Sequence, residues 1–317
     1  MSLPEGAGDI TAMCSCGDFL EIYTEHATYR VRSPESIDPG LTNPNAPWVS
    51  AKASDFGSSS KIVARVLLQG EPMIKSASLS DHAADKEDII RQLHSCKEAL
   101  LACEKVRLRV SGEIERIINK MSMNGVEVEH GRHIKALPQV PNLDDDASTF
   151  LINIKRTIAC ICHLAPLFLP LPKRDNNLDH LKKSIGKLSN ERHSTLLEAI
   201  DQFCPGSKHL IELRNYQEHP GELRTHVNNF SITANNEISY PVWFVSGKPP
   251  EPILASMNAA VDFAISLCET LLVHLIFAAM ETKIPYFVQE IPDEDMESKL
   301  PIKYRLSIDI GAMKFEG

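Results

Sequence analysis

The sequence predicts a mainly α fold, a helical bundle with added β segments at both termini and an inserted β-hairpin. Three observations predict it. Apolar residues recur three or four positions apart through the middle of the chain, the signature of helices with one buried stripe. Residues 1–80 and 285–317 break that period and carry short extended runs. Within the helical region, HVNNFSIT and ISYPVWFV flank the turn ANNE, which reads as a hairpin at 226–245. The expected division is a β-containing N-terminal extension over 1–80, a bundle over 81–284, and short β segments over 285–317 that pack on the body.

Taken in order, FLEIYTEHATYRVRS (19–33) shows partial alternation and β-formers, and KIVARVLLQ (61–69) reads as a second strand. The Pro-, Ser-, Asn- and Gly-rich stretch between them reads as a long loop or crossing arm. From Asp85 the period changes. Ile89, Leu93, Cys96, Leu100, Cys103, Val106, Val110, Ile114, Ile117 and Met121 define one long amphipathic helix, with Asp81 or Asp85 as its cap. Pro138 and Pro141 then prevent helix in the second half of a connector. Asp144–Asp146 suit the positive N-terminal end of the next helix, which Pro166, Pro170 and Pro172 stop. Shorter helices are expected over 177–188 and 190–203, with CPGS as a turn and Ser207 capping the helix that follows. In the hairpin, Pro241 argues for an edge position. A long apolar helix runs from 253 to 281, and PYFVQEIP and IKYRLSIDI read as strands divided by an acidic loop.

Composition limits the function. The 317 residues are 43% hydrophobic, enough for one large or two modest cores, and the formal charge is -9. That balance argues against broad adhesion to DNA or acidic lipid, which requires a positive field over a whole face. Eight cysteines in a chain this long, several of them on apolar helical stripes, read as reduced buried thiols. The start MSLPEGAGDITAMC lacks a basic segment followed by an apolar run, and the apolar stretch 259–280 is interrupted by Asp262, Glu269 and His274. The expectation is a cytoplasmic protein with a core helix there and no membrane partner. No phosphate-binding glycine loop, dinucleotide fingerprint, HExxH or nucleophile-elbow pentapeptide occurs, which disfavours the corresponding ATPases, dehydrogenases and hydrolases.

The stretch IELRNYQEHPGEL (211–223) carries the chemistry of most interest. Asn215 and His219 are four apart and share a helix face, whereas Arg214 and His219 lie about 140 degrees apart around a regular helix. Pro220 and Gly221 set His219 at the C-terminal end, where a cation is favoured. Arg-Asn-Tyr-Gln-Glu-His resembles the arginine, polar residue, three residues, histidine pattern of HEPN-domain proteins. These are all-helical bundles often found as nucleases in toxin-antitoxin, abortive infection and RNA-decay systems. The resemblance covers about residues 85–281 and implies Arg214, Asn215 and His219 as the functional set. It implies metal-independent RNA cleavage by 2'-hydroxyl attack, with no cofactor. In that chemistry a histidine moves the proton and a guanidinium holds the phosphate. One histidine serves poorly as both acid and base, so a homodimer sharing a cleft is expected.

Each of these residues also has a plain structural reading. Arg214 can pair with Glu218 at i,i+4, and His219 can cap its helix. Cys14, Cys16 and His26 could contribute to a metal site only with a distant fourth donor, and buried thiols are the simpler reading. His130 and His133, amid Glu127, Glu129, Arg132 and Lys135, read as a phosphate or metal-contacting loop or as an ordinary charged connector. Arg107, Arg109, Lys173, Arg174, Lys182 and Lys183 line an RNA path only if the fold gathers them, and interleaved glutamates favour a solvated face. Two functions follow: a dimeric metal-independent endoribonuclease acting on RNA, or a noncatalytic helical interaction or accessory protein of a defence or toxin-antitoxin system, whose terminal β segments meet a protein partner.

Overall fold

The computed structural model describes residues 3–4, 6–17, 19–124, 137–172, 175–188, 193–219, 221–235, 237–280 and 285–309. The chain is mainly helical, with strands concentrated near the two termini and a small inserted hairpin. It divides into two compact units: residues 1–98, 160–202 and 265–317 form the first, and residues 99–159 and 203–264 the second. Four long helices, α3 (Lys86–Asn124), α4 (Leu143–Cys162), α7 (Ser194–Glu218) and α8 (Ile253–Ala279), contribute residues to both.

In the first unit, β1 (Ile10–Ser15), β2 (Leu20–Thr24), β3 (Thr28–Arg32) and β4 (Val49–Ser54) form an antiparallel sheet in chain order. The stretch 19–33 is therefore a hairpin rather than one strand. The arm after it holds a short α1 (Pro34–Ile37), capped by the Ser33 hydroxyl, and the edge strand β4. Alternation sorts the two faces. Leu20, Ile22, Tyr29 and Val31 point one way and pack with Ala27, Leu3 and Ala7. Cys14, Glu21 and Arg30 are cross-strand neighbours on the other.

Residues 61–69 correct the sequence reading, because Val63–Leu68 is π-helical and runs into α2 (Gly70–Ser76) instead of forming a strand. Val63, Ala64, Val66, Leu67 and Leu68 are all buried. A run buried on nearly every side has no period to separate strand from helix. What fixes the conformation is polar anchoring: Arg65 Nε and Gln69 Nε2 donate to Glu269 of α8 at 2.8 and 2.9 Å. Gln69 Oε1 in turn accepts the backbone N–H groups of Lys303 and Tyr304. The Glu269 charge inside the apolar α8 is thus matched, as burial requires. This unit also contains α5 (Ala165–Phe168), α6 (Leu178–Gly186) and the antiparallel pair β10 (Tyr286–Glu290) and β11 (Tyr304–Ile308).

In the second unit, α7 corrects the expectation of a turn at CPGS. The helix is continuous from Ser194 to Glu218, with Pro205 inside it and Ser207 buried rather than capping. Gly206 explains the tolerance: a Cβ there would lie 2.7 Å from Phe263 Cε2, so the glycine lets α8 pack close beside the proline. The inserted hairpin is split in two. β5 (Thr225–Asn228) pairs with β8 (Val242–Val245), and β6 (Ser231–Ile232) with β7 (Ile238–Ser239). Pro241 lies at the break, where it has no N–H to give to the ladder. β9 (Glu251–Pro252) adds to β8 and leads into α8. Asn229 ties the hairpin to the connector by donating to Val140 O and accepting from Val140 N.

Candidate functional site

Arg214, Asn215 and His219 sit at the end of α7, and His219 follows its last residue, as the Pro-Gly signal predicts. Arg214 Nη1 donates to Asn215 Oδ1 at 3.2 Å. The same guanidinium is ion-paired with Glu218 one turn on, and both side chains are mostly buried. His219 is different: its side chain is 77% exposed, and its Nε2 lies 4.0 Å from Glu218 Oε2. One carboxylate thus lies against the guanidinium and within 4.0 Å of the imidazole. The charge that would hold a phosphate is already neutralised within the helix, and the imidazole stands in solvent.

The surroundings add three polar groups. Lys155 Nζ on α4 donates to Asn215 Oδ1 at 3.5 Å, and burial together with the nearby Arg214 charge pulls its ammonium below the ordinary lysine range. Gln217 Nε2 donates to Ser148 Oγ, while its Oε1 and Arg214 Nε are buried without a partner among the described residues. Lys155 and Arg214 thus both donate to Asn215 Oδ1, and Glu218 pairs with Arg214.

Three of the other expected basic groups are occupied. Arg107 pairs with Glu104 and Asn258, Arg109 with Asp146, and Lys182 with Asp201. Lys173 and Arg174 lie outside the described residues, as do His130, His133 and their charged neighbours. His26 faces solvent beside Glu25, whereas Cys14 and Cys16 are buried with their sulfurs 3.7 Å apart. The Cys14 contact and burial push the Cys16 thiol well above its ordinary pKa, so it remains protonated.

The sequence reading missed a buried network around Glu21, which is fully buried. Its Oε2 accepts from Lys97 Nζ at 2.6 Å and from the Tyr23 hydroxyl, and its Oε1 from Arg30 Nε at 2.9 Å and His94 Nε2 at 3.0 Å. Burial alone would raise the Glu21 pKa, but the His94 hydrogen bond and the Lys97 charge outweigh it and hold the carboxylate well below its usual range. Ligand atoms of Cys16, Glu21 and His94 lie within 4.8 Å of one another, a spacing that suits a metal. The four donors already on Glu21 argue otherwise, and the Lys97 ammonium supplies the cation. A signal was present: His94 and Lys97 fall on the buried stripe of α3 with Ile90 and Leu101.

A second missed feature is an apolar cavity of about 200 Å³ walled by Leu210, Leu213, Trp243 and Phe263, with His209, Glu251 and Ser256 as its polar members. Its walls come from α7, β8 and α8, so no contiguous stretch of sequence marked it. No family model matches the chain, and neither a curated protein nor a solved structure is detectably similar to it.

Proposed function

We propose that this protein is a noncatalytic interaction protein whose N-terminal sheet meets a protein partner. One observation carries the reading: Ile10, Met13, Trp48 and Val49 are all exposed, on or beside the two edge strands of the sheet. Edge strands offer unpaired backbone donors and acceptors, and exposed large apolar groups beside them supply the contact area for strand addition. The neutralised Arg214 supports the same reading by weakening the case for phosphate chemistry in the single chain.

The test is a photo-crosslinking residue at position 48, with the same residue at position 277 as a surface control, in extract of the native cell. A discrete protein adduct from position 48 alone supports the proposal. Identical adduct patterns from both positions would count against it.

A specific observation keeps a second reading: the Lys155, Arg214 and Asn215 cluster would gain from an anion once Glu218 is displaced. In a homodimer with two exposed His219 side chains across a cleft, that cluster suits RNA cleavage without metal. Cleavage of a labelled RNA pool in EDTA by the wild type, lost in both Arg214→Ala and His219→Ala, would establish this activity in place of the first reading.

A further inference from the structure

The acidic loop between β10 and β11 is anchored to the first unit at two points. Ser58 Oγ donates to Lys299 O at 2.6 Å, and Gln69 Oε1 accepts the Lys303 and Tyr304 N–H groups. Inside the loop, a single 3-10 turn (Asp293–Asp295) and a bond from the Leu300 N–H to Glu297 O bend the chain. A pocket of about 520 Å³ results, within the size range of small-molecule sites, and every residue that lines it falls between positions 289 and 305.

Four charged side chains line this pocket: Glu290, Asp295, Glu297 and Arg305. Glu290 is matched by Lys303 Nζ at 3.2 Å. Arg305 Nε donates at 2.8 Å to Gln289 Oε1, its cross-strand neighbour, yet no carboxylate among the described residues pairs with the guanidinium. The side chains of Asp295 and Glu297 likewise have no ion pair or hydrogen bond among the described residues. Opposite charges therefore face one space without neutralising each other, and an occupant that carries both signs would complete the set.

The unmatched groups are two negative and one positive. Their complement is a ligand with two cationic groups and one anionic group. The aliphatic walls, with Met296, Leu300 and Ile302 among them, suit a methylene stem between those charges. We propose that this pocket binds a free basic amino acid, lysine or arginine. Arg305 takes the carboxylate through its two terminal nitrogens, and Asp295 and Glu297 take the α-ammonium and the side-chain cation. All three protein groups are exposed, so each contact is a solvated ion pair and selectivity comes from meeting the three together. The site goes beyond the partner reading and shares no residue with the N-terminal sheet or the Arg214 cluster.

The test takes lysine apart one group at a time. In full-length protein labelled with ¹³C at the methionine methyls, the Met296 signal is assigned with Met296→Leu and followed at low ionic strength. Lysine and arginine should move it saturably. Binding about fivefold weaker or worse is expected for cadaverine, which lacks the carboxylate, for norleucine, which lacks the side-chain cation, and for Nα-acetyllysine, which lacks the α-ammonium. Arg305→Gln should bring lysine down to the level of cadaverine while leaving cadaverine binding unchanged or tighter, a pattern that misfolding does not produce. Added sodium chloride should weaken lysine binding. An unmoved Met296 signal with lysine and arginine would overturn the proposal. Equal response to cadaverine would overturn it by reducing the pocket to a general cation site, and equal response to norleucine by removing the side-chain contact. Equal response to Nα-acetyllysine would also overturn it, marking a peptide terminus in place of the free amino acid.

Discussion

Replacing Lys97 with methionine removes one charge of the buried network while nearly preserving the volume of its stem. Lys97 is 1% exposed, and its ammonium lies 2.6 Å from Glu21 and 2.8 Å from Glu98. Breaking a buried pair from one side typically costs about 3–5 kcal/mol, because the remaining charge stays buried and uncompensated. Glu21 would keep Arg30, His94 and Tyr23, so the expected loss is at the lower end, about 3 kcal/mol. With a urea slope of about 3 kcal/mol per M, the midpoint followed by circular dichroism falls by about 1 M. The double variant Glu21→Gln/Lys97→Met should recover part of the loss, since the buried Glu21 charge is then removed with its Lys97 partner and the half-exposed Arg30 keeps Glu98. Acid adds a signed test. The folded Glu21 pKa lies below its ordinary 4.5, so its contribution is complete above that value and is lost as pH falls below it towards the folded pKa. The wild type should therefore lose stability through that window more steeply than Lys97→Met. A single variant within about 0.5 kcal/mol of wild type, or a double variant no better than the single, would refute the account of the network as a mutually dependent set.

Three further outcomes follow from geometry. Gly57→Ala should destabilise the first unit by about 3 kcal/mol or more, because its Cβ would lie 2.2 Å from Thr24 O and 2.5 Å from Ala27 N, backbone atoms that cannot step aside; loss of hydrogen-exchange protection in β2 and β3 is the readout. Glu218→Gln frees the Arg214 charge and should tighten binding of a short phosphodiester oligonucleotide several-fold, with a steeper salt dependence measured by fluorescence anisotropy. Burial holds His274 below its ordinary 6.5, so the unfolded chain takes up a proton before the folded one as pH falls below 6.5; stability should decline there, and less so in His274→Gln, measured by thermal melts across that range.

The periodic elements were legible in the sequence because their spacing is a local property. The apolar stripe from Ile89 to Met121 became α3, the apolar run after Pro252 became α8, and PYFVQEIP and IKYRLSIDI became the terminal pair β10 and β11. The aperiodic stretches were not legible in this way. Val63–Leu68 became π-helical where Arg65 and Gln69 reach Glu269, about two hundred positions away, and no local pattern carries that partner. CPGS stayed helical because Gly206 meets Phe263 across the gap between α7 and α8. At the candidate site, the chain alone determined that Arg214, Asn215 and His219 fall at one helix end and that Glu218 stands within pairing reach of Arg214. Tertiary structure decided the rest: it buried Arg214 with Glu218, left His219 in solvent, and set Trp243 beside Glu251 over a cavity that no short segment encodes. Neighbours one turn apart are fixed by helix geometry, whereas neighbours from different elements exist only after packing has brought them together.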